Sequence, residues 1–166
     1  MGERFVEQAL TNTDRRIREG KSISPGFLFA ALLWHEVLAN WNQRKAKGEV
    51  SIPALFAAMA DVLDRQAEKL AITKRLVGDI KEIWSLQPRF EQRSGKRPYA
   101  LLGHARFRAG YDFMLLRAQS GETDNELADW WTAFIEGDHN EQESLIASAP
   151  KETSPAKKRR RGGSNR

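Results

Sequence analysis

Apolar residues return at steps of three and four along most of the chain, the spacing that lines one face of an α-helix, and nowhere alternate as they would on a strand. Phe5, Val6, Ala9, Leu10 and Ile17 predict a first helix that Gly20 ends. Ser24 followed by Pro25 reads as an N-cap and a first helical position, where proline's missing N–H costs nothing. The helix it opens, about 25–42, is apolar nearly all round through Phe27-Leu-Phe-Ala-Ala-Leu-Leu-Trp34, which places it at the centre of a core. Lys47-Gly48-Glu49 breaks the pattern. Ser51 reads as the cap of a third helix with Ile52, Leu55, Phe56, Met59, Val62, Leu63 and Leu70 as its apolar stripe.

Thr73 reads as the cap of a fourth helix, with Leu76, Val77, Ile80, Ile83, Trp84 and Phe90 turned inward. Pro88 should kink or end it, because proline removes a backbone bond and crowds the preceding turn. Beyond the stop at Ser94-Gly95, a short helix is expected over about 98–103. A longer one over about 105–119 should bury Phe107, Tyr111, Met114 and Leu115, and a last one over about 124–136 should bury Leu127, Trp130, Trp131, Phe134 and Ile135. After Gly137 the periodicity stops, and a polar remainder with Pro150, Pro155 and Gly162-Gly163 reads as disordered. The expectation is all-α: a single domain of about seven helices over 1–137, then an acidic-then-basic tail over 138–166.

Composition removes several chemistries. The chain has no cysteine, hence no disulfide framework, thiolate metal site or cysteine nucleophile, and its three histidines (His35, His104, His139) are scattered. The longest apolar run is short of the ~20 residues that span a bilayer, and it lies too far from the start for a signal peptide. A cytoplasmic protein without membrane contact is the default expectation.

Charge sharpens the picture. The net charge of +5 conceals four unlike segments: residues 1–64 are neutral, 65–117 carry +7, 118–150 carry −8 and 151–166 carry +6. Basic clusters of this size usually serve polyanions. On a helical wheel, Lys74, Arg75, Lys81, Arg89 and Arg93 fall opposite the apolar stripe of the fourth helix, with Glu82 as the one acid among them. Lys96 and Arg97 follow in a flexible turn, then Arg106, Arg108 and Arg117, the last on nearly the same meridian as Arg106. Arginine suits RNA because its planar fork grips phosphate at two points and stacks on bases. The plainer alternative is a solvated surface with ion pairs to Asp79, Glu82, Glu91 and Asp112. The tail run Lys157-Lys158-Arg159-Arg160-Arg161 is a compact polycation that would bind polyanions without sequence preference, with nuclear targeting as its other common meaning.

Some features tempt toward catalysis. Ser120-Gly121-Glu122-Thr123-Asp124 superficially resembles the Gly-Ser and spaced-carboxylate pattern of nucleotidyltransferases, but those carboxylates stand on a strand and hold metal, whereas these open a helix, where acids are favoured anyway. His104 has no serine or aspartate partner that the sequence identifies, so it reads as a packed or capping residue. Trp130 and Trp131 read as core, with one ring at a surface as the alternative that would stack a base.

Several stretches resemble bacterial poly(A) polymerase: Ile23-Ser-Pro-Gly-Phe-Leu-Phe-Ala-Ala-Leu-Leu-Trp34, Ala71-Ile-Thr-Lys-Arg75 and Ile83-Trp-Ser-Leu-Gln-Pro-Arg89. Arg93-Ser-Gly-Lys-Arg97, Leu101-Leu-Gly-His104, Arg106-Phe-Arg-Ala-Gly-Tyr-Asp-Phe-Met-Leu-Leu-Arg117, Glu126-Leu-Ala-Asp-Trp-Trp131 and the arginine-rich end follow in the same order. The resemblance implies a helical body and arginine-rich C-terminus belonging to an enzyme that adds AMP from ATP to RNA 3′ ends in mRNA processing and decay. ATP and Mg²⁺ would be bound by a nucleotidyltransferase head that this sequence does not contain. No catalytic, cofactor or metal residue is therefore expected here, and the chain should be inactive alone. Its partner would be RNA, at 3′ ends and poly(A); the alternative partner is an acidic protein of the RNA-degradation machinery. Departures from the family pattern are Thr73, where proline is common, and Gly103, Ala105 and Gly110. The two glycines are expected to loosen their helices by up to ~1 kcal/mol each relative to alanine.

Overall fold

The computed structural model describes residues 2–21 and 24–150. Helices follow one another as α1 (Gly2–Arg18), α2 (Pro25–Ala46), α3 (Ser51–Gln66), α4 (Lys74–Leu86), a 3-10 turn (Gln87–Glu91), α5 (Arg97–Leu102), α6 (Phe107–Gln119), α7 (Asn125–Glu136) and α8 (His139–Ser148), with no strand among the described residues. The all-α expectation holds, and so do most boundary signals. Ser24 Oγ accepts the Phe27 N–H at 3.3 Å with Pro25 at the first helical position. Thr73 Oγ1 accepts the Leu76 N–H at 3.3 Å. At Pro88 the chain leaves the α-helix and tightens into the 3-10 turn. Gly95, at φ 62°, makes the left-handed turn that only glycine adopts cheaply. Ser51 departs from expectation: Val50 holds the N-cap position, no side chain caps this helix, and Ser51 is its first residue.

Two clusters of buried side chains form the interior. The first is centred on α2, as its all-round apolar surface requires, and gathers Phe5, Trp34, Met59, Ile80 and Trp84 from α1 to α4. The second joins the 3-10 turn, α5, α6 and α7 through Phe90, Leu101, Trp131 and Phe134. Helix α6 lies between them, giving Phe113 and Leu116 to the first and Phe107, Tyr111 and Met114 to the second. Its approach to the end of α4 is close: a methyl group on Gly110 would stand 2.8 Å from Leu86 Cδ1. Gly110 is therefore a packing requirement as well as a helix position of low propensity.

Three further expectations fail. The stripe assigned to α3 is too wide: Ile52 and Phe56 sit on its shoulder, 42% and 51% exposed, while the inward arc is Ala54, Leu55, Ala58, Met59, Val62 and Leu63; Leu70, expected in the same stripe, lies past the end of α3 in the connection to α4 and is exposed. Leu10 and Ile17 of α1 are likewise exposed. The third concerns residues after Gly137, which are not a tail until 150. The Asp138 side chain accepts the Glu141 N–H at 2.8 Å and the Glu141 side chain accepts the Asp138 N–H at 2.9 Å, a capping box that starts α8. Helix α8 buries no residue fully and rests half-buried Leu145 and Ile146 on the second core, too thin an apolar signal to show as periodicity. The expected disorder over 151–166 lies outside the described residues.

Candidate nucleic-acid interface

The outer face of α4 is set by its inner one. Ile80, Ile83 and Trp84 are buried and the Trp84 indole N–H donates to Ala30 O at 3.1 Å, which fixes the rotation of the helix against α2. Lys74, Arg75 and Lys81 are consequently exposed, and none has an ion pair among the described residues. Half-buried Arg89 on the 3-10 turn and exposed Lys96 in the following turn are also without an ion pair there. Arg97 is exposed at the start of α5.

The remaining cations of the stripe are engaged to different degrees. Arg106, at the N-cap of α6, bonds Asp79 and lies 3.5 Å from Glu82, tying α6 to α4 while half its side chain stays in solvent. Arg108 is 74% exposed, pairs with Asp112 one turn on at 3.4 Å and stands over the Tyr111 ring at 5.2 Å. Arg93 is only 11% exposed: it donates to Glu126 at 2.7 Å and lies over Trp130. The plainer reading of paired surface charges thus describes Arg106 and Arg108, with Asp79, Glu82 and Asp112 as the partners named from sequence. Burial pushes the Asp112 carboxyl above the ordinary aspartate range, against the pull of Arg108 and Arg16.

Arg117 does something else. Its Nε donates to Glu122 at 2.7 Å, both side chains being about nine-tenths buried, and its Nη1 donates to Gln87 Oε1 at 3.0 Å. The guanidinium lies over the Trp34 ring, and the Trp34 N–H donates to the other oxygen of Glu122 at 2.9 Å. Buried Gln87 closes the network by donating to Ile83 O and Gly110 O. A wheel put Arg117 in line with Arg106, but the α6–α7 turn folds Glu122 back under it, so the side chain serves the interior. Beside the network, His35 is 3.9 Å from Glu122 with both ring nitrogens buried and unbonded; burial holds its pKa below the ordinary histidine range despite Glu122.

The other singled-out residues are accounted for. His104 Nδ1 accepts the Arg106 N–H at 3.0 Å within the turn before α6, and no side chain caps that helix. Trp130 and Trp131 are both buried, their N–H groups donating to Leu145 O and Phe90 O, so neither offers a face to a base. Glu122 is consumed as described. Lys157, Lys158, Arg159, Arg160 and Arg161 lie outside the described residues.

Residues 47–165 match the family model described as polymerase A arginine-rich C-terminus. The chain belongs to this family. It is 38% identical over 162 residues to poly(A) polymerase I of Escherichia coli O6:H1 and 39% identical over 163 residues to that of Salmonella typhi, covering 96% of this chain in both cases. Poly(A) polymerase I of Haemophilus influenzae is 36% identical over 147 residues. The chain spans about a third of the length of these relatives, 35% of the first two and 32% of the last.

The family match takes in every cation of the expected stripe and the tail run, but leaves α1 and α2 wholly outside it. There the structure shows a feature of this arginine-rich C-terminal chain that the sequence reading passed over. Arg15 and Arg16 at the end of α1 face Arg108 and Asp112 of α6 across a groove of about 420 Å³. Residues 1–64 are neutral in sum, and that sum hid the local run Arg15-Arg16-Ile17-Arg18.

Proposed function

We propose that the outer face of α4 and the turn after the 3-10 segment hold the phosphate backbone of RNA for a cytoplasmic poly(A) polymerase, with 3′ ends and poly(A) as the substrate. Adenylyl transfer, with its ATP and Mg²⁺, belongs in this reading to the part of the relatives' length that this chain does not span, and the chain alone is inactive. The single observation that carries the proposal is that Lys74, Arg75 and Lys81 stand exposed without ion pairs among the described residues, on the side of α4 opposite the core. Free ammonium and guanidinium groups lose no internal partner when they meet phosphate, and each phosphate neutralised releases condensed counterions. The relatives' name, poly(A) polymerase I, supplies RNA as the polyanion.

Binding of labelled oligo(A) measured across a salt series tests this. Reversing three charges in K74E/R75E/K81E should lower the slope of log affinity against log salt by about 2, at roughly 0.7 per phosphate of a single strand. An unchanged slope would remove α4 from the interface.

A further inference from the structure

The groove between α1 and α6 lies apart from the α4 face. Three guanidinium groups reach it: Arg15 and Arg16 from the last turns of α1 and Arg108 from the first turn of α6. Against them stands Asp112, which pairs with Arg108 at 3.4 Å and also feels Arg16. Lys21 and Glu19, also in the lining, pair with each other at 3.0 Å, and Glu19 feels Arg15 and Arg16 as well. The lining thus carries four cations, Arg15, Arg16, Lys21 and Arg108, against two carboxylates, Glu19 and Asp112. The same lining holds the half-buried apolar side chains Phe27, Leu28 and Leu115, together with polar Asn12, Thr13, Ser24 and Gln119. Its volume of about 420 Å³ falls at the small end of ligand pockets, room for one nucleotide and too little for a folded helix of RNA.

We infer that this groove takes one nucleotide of single-stranded RNA, its phosphate on Arg15, Arg16 and Arg108 and its base on Phe27, Leu28 and Leu115. Planar forks from two helices match the oxygens of one phosphate at several points. Apolar side chains in the same groove favour an unstacked base, which a duplex does not offer. A purely acidic peptide would satisfy the arginines but leave Phe27, Leu28 and Leu115 without a partner. The inference rests on the RNA reading above, and it extends the path from α4 round α6, with Arg108 at the junction.

The test compares R15E/R16E with R4E/R18E, which makes the same charge change on the same helix at two positions outside the groove. With labelled oligo(A), R15E/R16E should weaken binding about tenfold, the scale of one lost charged hydrogen bond, while R4E/R18E stays near the parent. The salt slope should fall by about 0.7 in R15E/R16E alone, as for one phosphate of a single strand. Equal losses in the two variants would mean only long-range attraction and would overturn the groove. If R15E/R16E loses its thermal transition, R15Q/R16Q replaces it. A second arm titrates AMP and adenosine and follows the backbone amides of 12–16 and 108–112 by NMR. Shifts with AMP that are absent with adenosine and lost in R15Q/R16Q support the site, and no shift with AMP overturns it. Oligo(A) binding lost in R15E/R16E but kept in K74E/R75E/K81E would sink the α4 reading and leave the groove standing; the reverse pattern would sink the groove alone.

Discussion

Lys74, Arg75 and Lys81 on α4 and Arg117 on α6 carry like charges at similar helical spacings, yet one group faces water and the other is built into the interior. The difference lies in what the neighbouring segment does. Among the described residues Lys74, Arg75 and Lys81 have no ion pair, whereas the turn between α6 and α7 brings Glu122 beneath Arg117, and Trp34 and Gln87 complete its surroundings. A wheel gives the direction of a side chain from its own axis and says nothing of what waits there. Positive charge near a candidate interface is therefore of two kinds, one available to a ligand and one already spent on holding helices together.

Substitutions sort the two kinds by size of effect. Arg117→Ala leaves Glu122 buried without its partner and should destabilise the chain by ~3–5 kcal/mol in urea unfolding; a loss under ~1 kcal/mol would return Arg117 to the surface class. Next is Gly110→Ala, at the crossing of the same network, where overpacking against Leu86 should outweigh the gain in helix propensity and cost ~1–3 kcal/mol by the same measurement. On α4 the sign reverses. Gly78 has open space where a side chain would go, so Gly78→Ala should stabilise by ~0.5–1 kcal/mol, read as a higher melting temperature. Smallest of all, K74E/R75E/K81E should change unfolding free energy by ~0.5 kcal/mol or less, whatever it does to RNA affinity; a larger loss would place those residues in the fold rather than on it.

The legible part of the molecule is what local rules determine. Caps at Ser24 and Thr73, the break at Pro88, the central place of α2 and the inward face of α4 follow from spacing and from single residues with one physical reading. Helix α8 was hidden because it buries nothing fully, although Asp138 and Glu141 stand at capping-box spacing. For the candidate site, the exposure of Lys74, Arg75 and Lys81 was readable from one helix, whereas the fates of Arg93 and Arg117 depend on Glu126 and Glu122, carboxylates that chain reversal brings back. Segment totals also mislead: α1 carries acids on its first turns and arginines on its last, and only the meeting of its end with α6 makes a basic groove.

Helix α6 gives each of its two sides to a different cluster of buried side chains, so neither half of the molecule owns its own wall. A disturbance in one half removes a supporting surface from the other. Mutational drift along α6 is judged twice, once by α2 and its neighbours and once by α7. Arg106 and Arg108 at its start inherit that rigidity, and a ligand that touches them presses on a part that cannot yield alone.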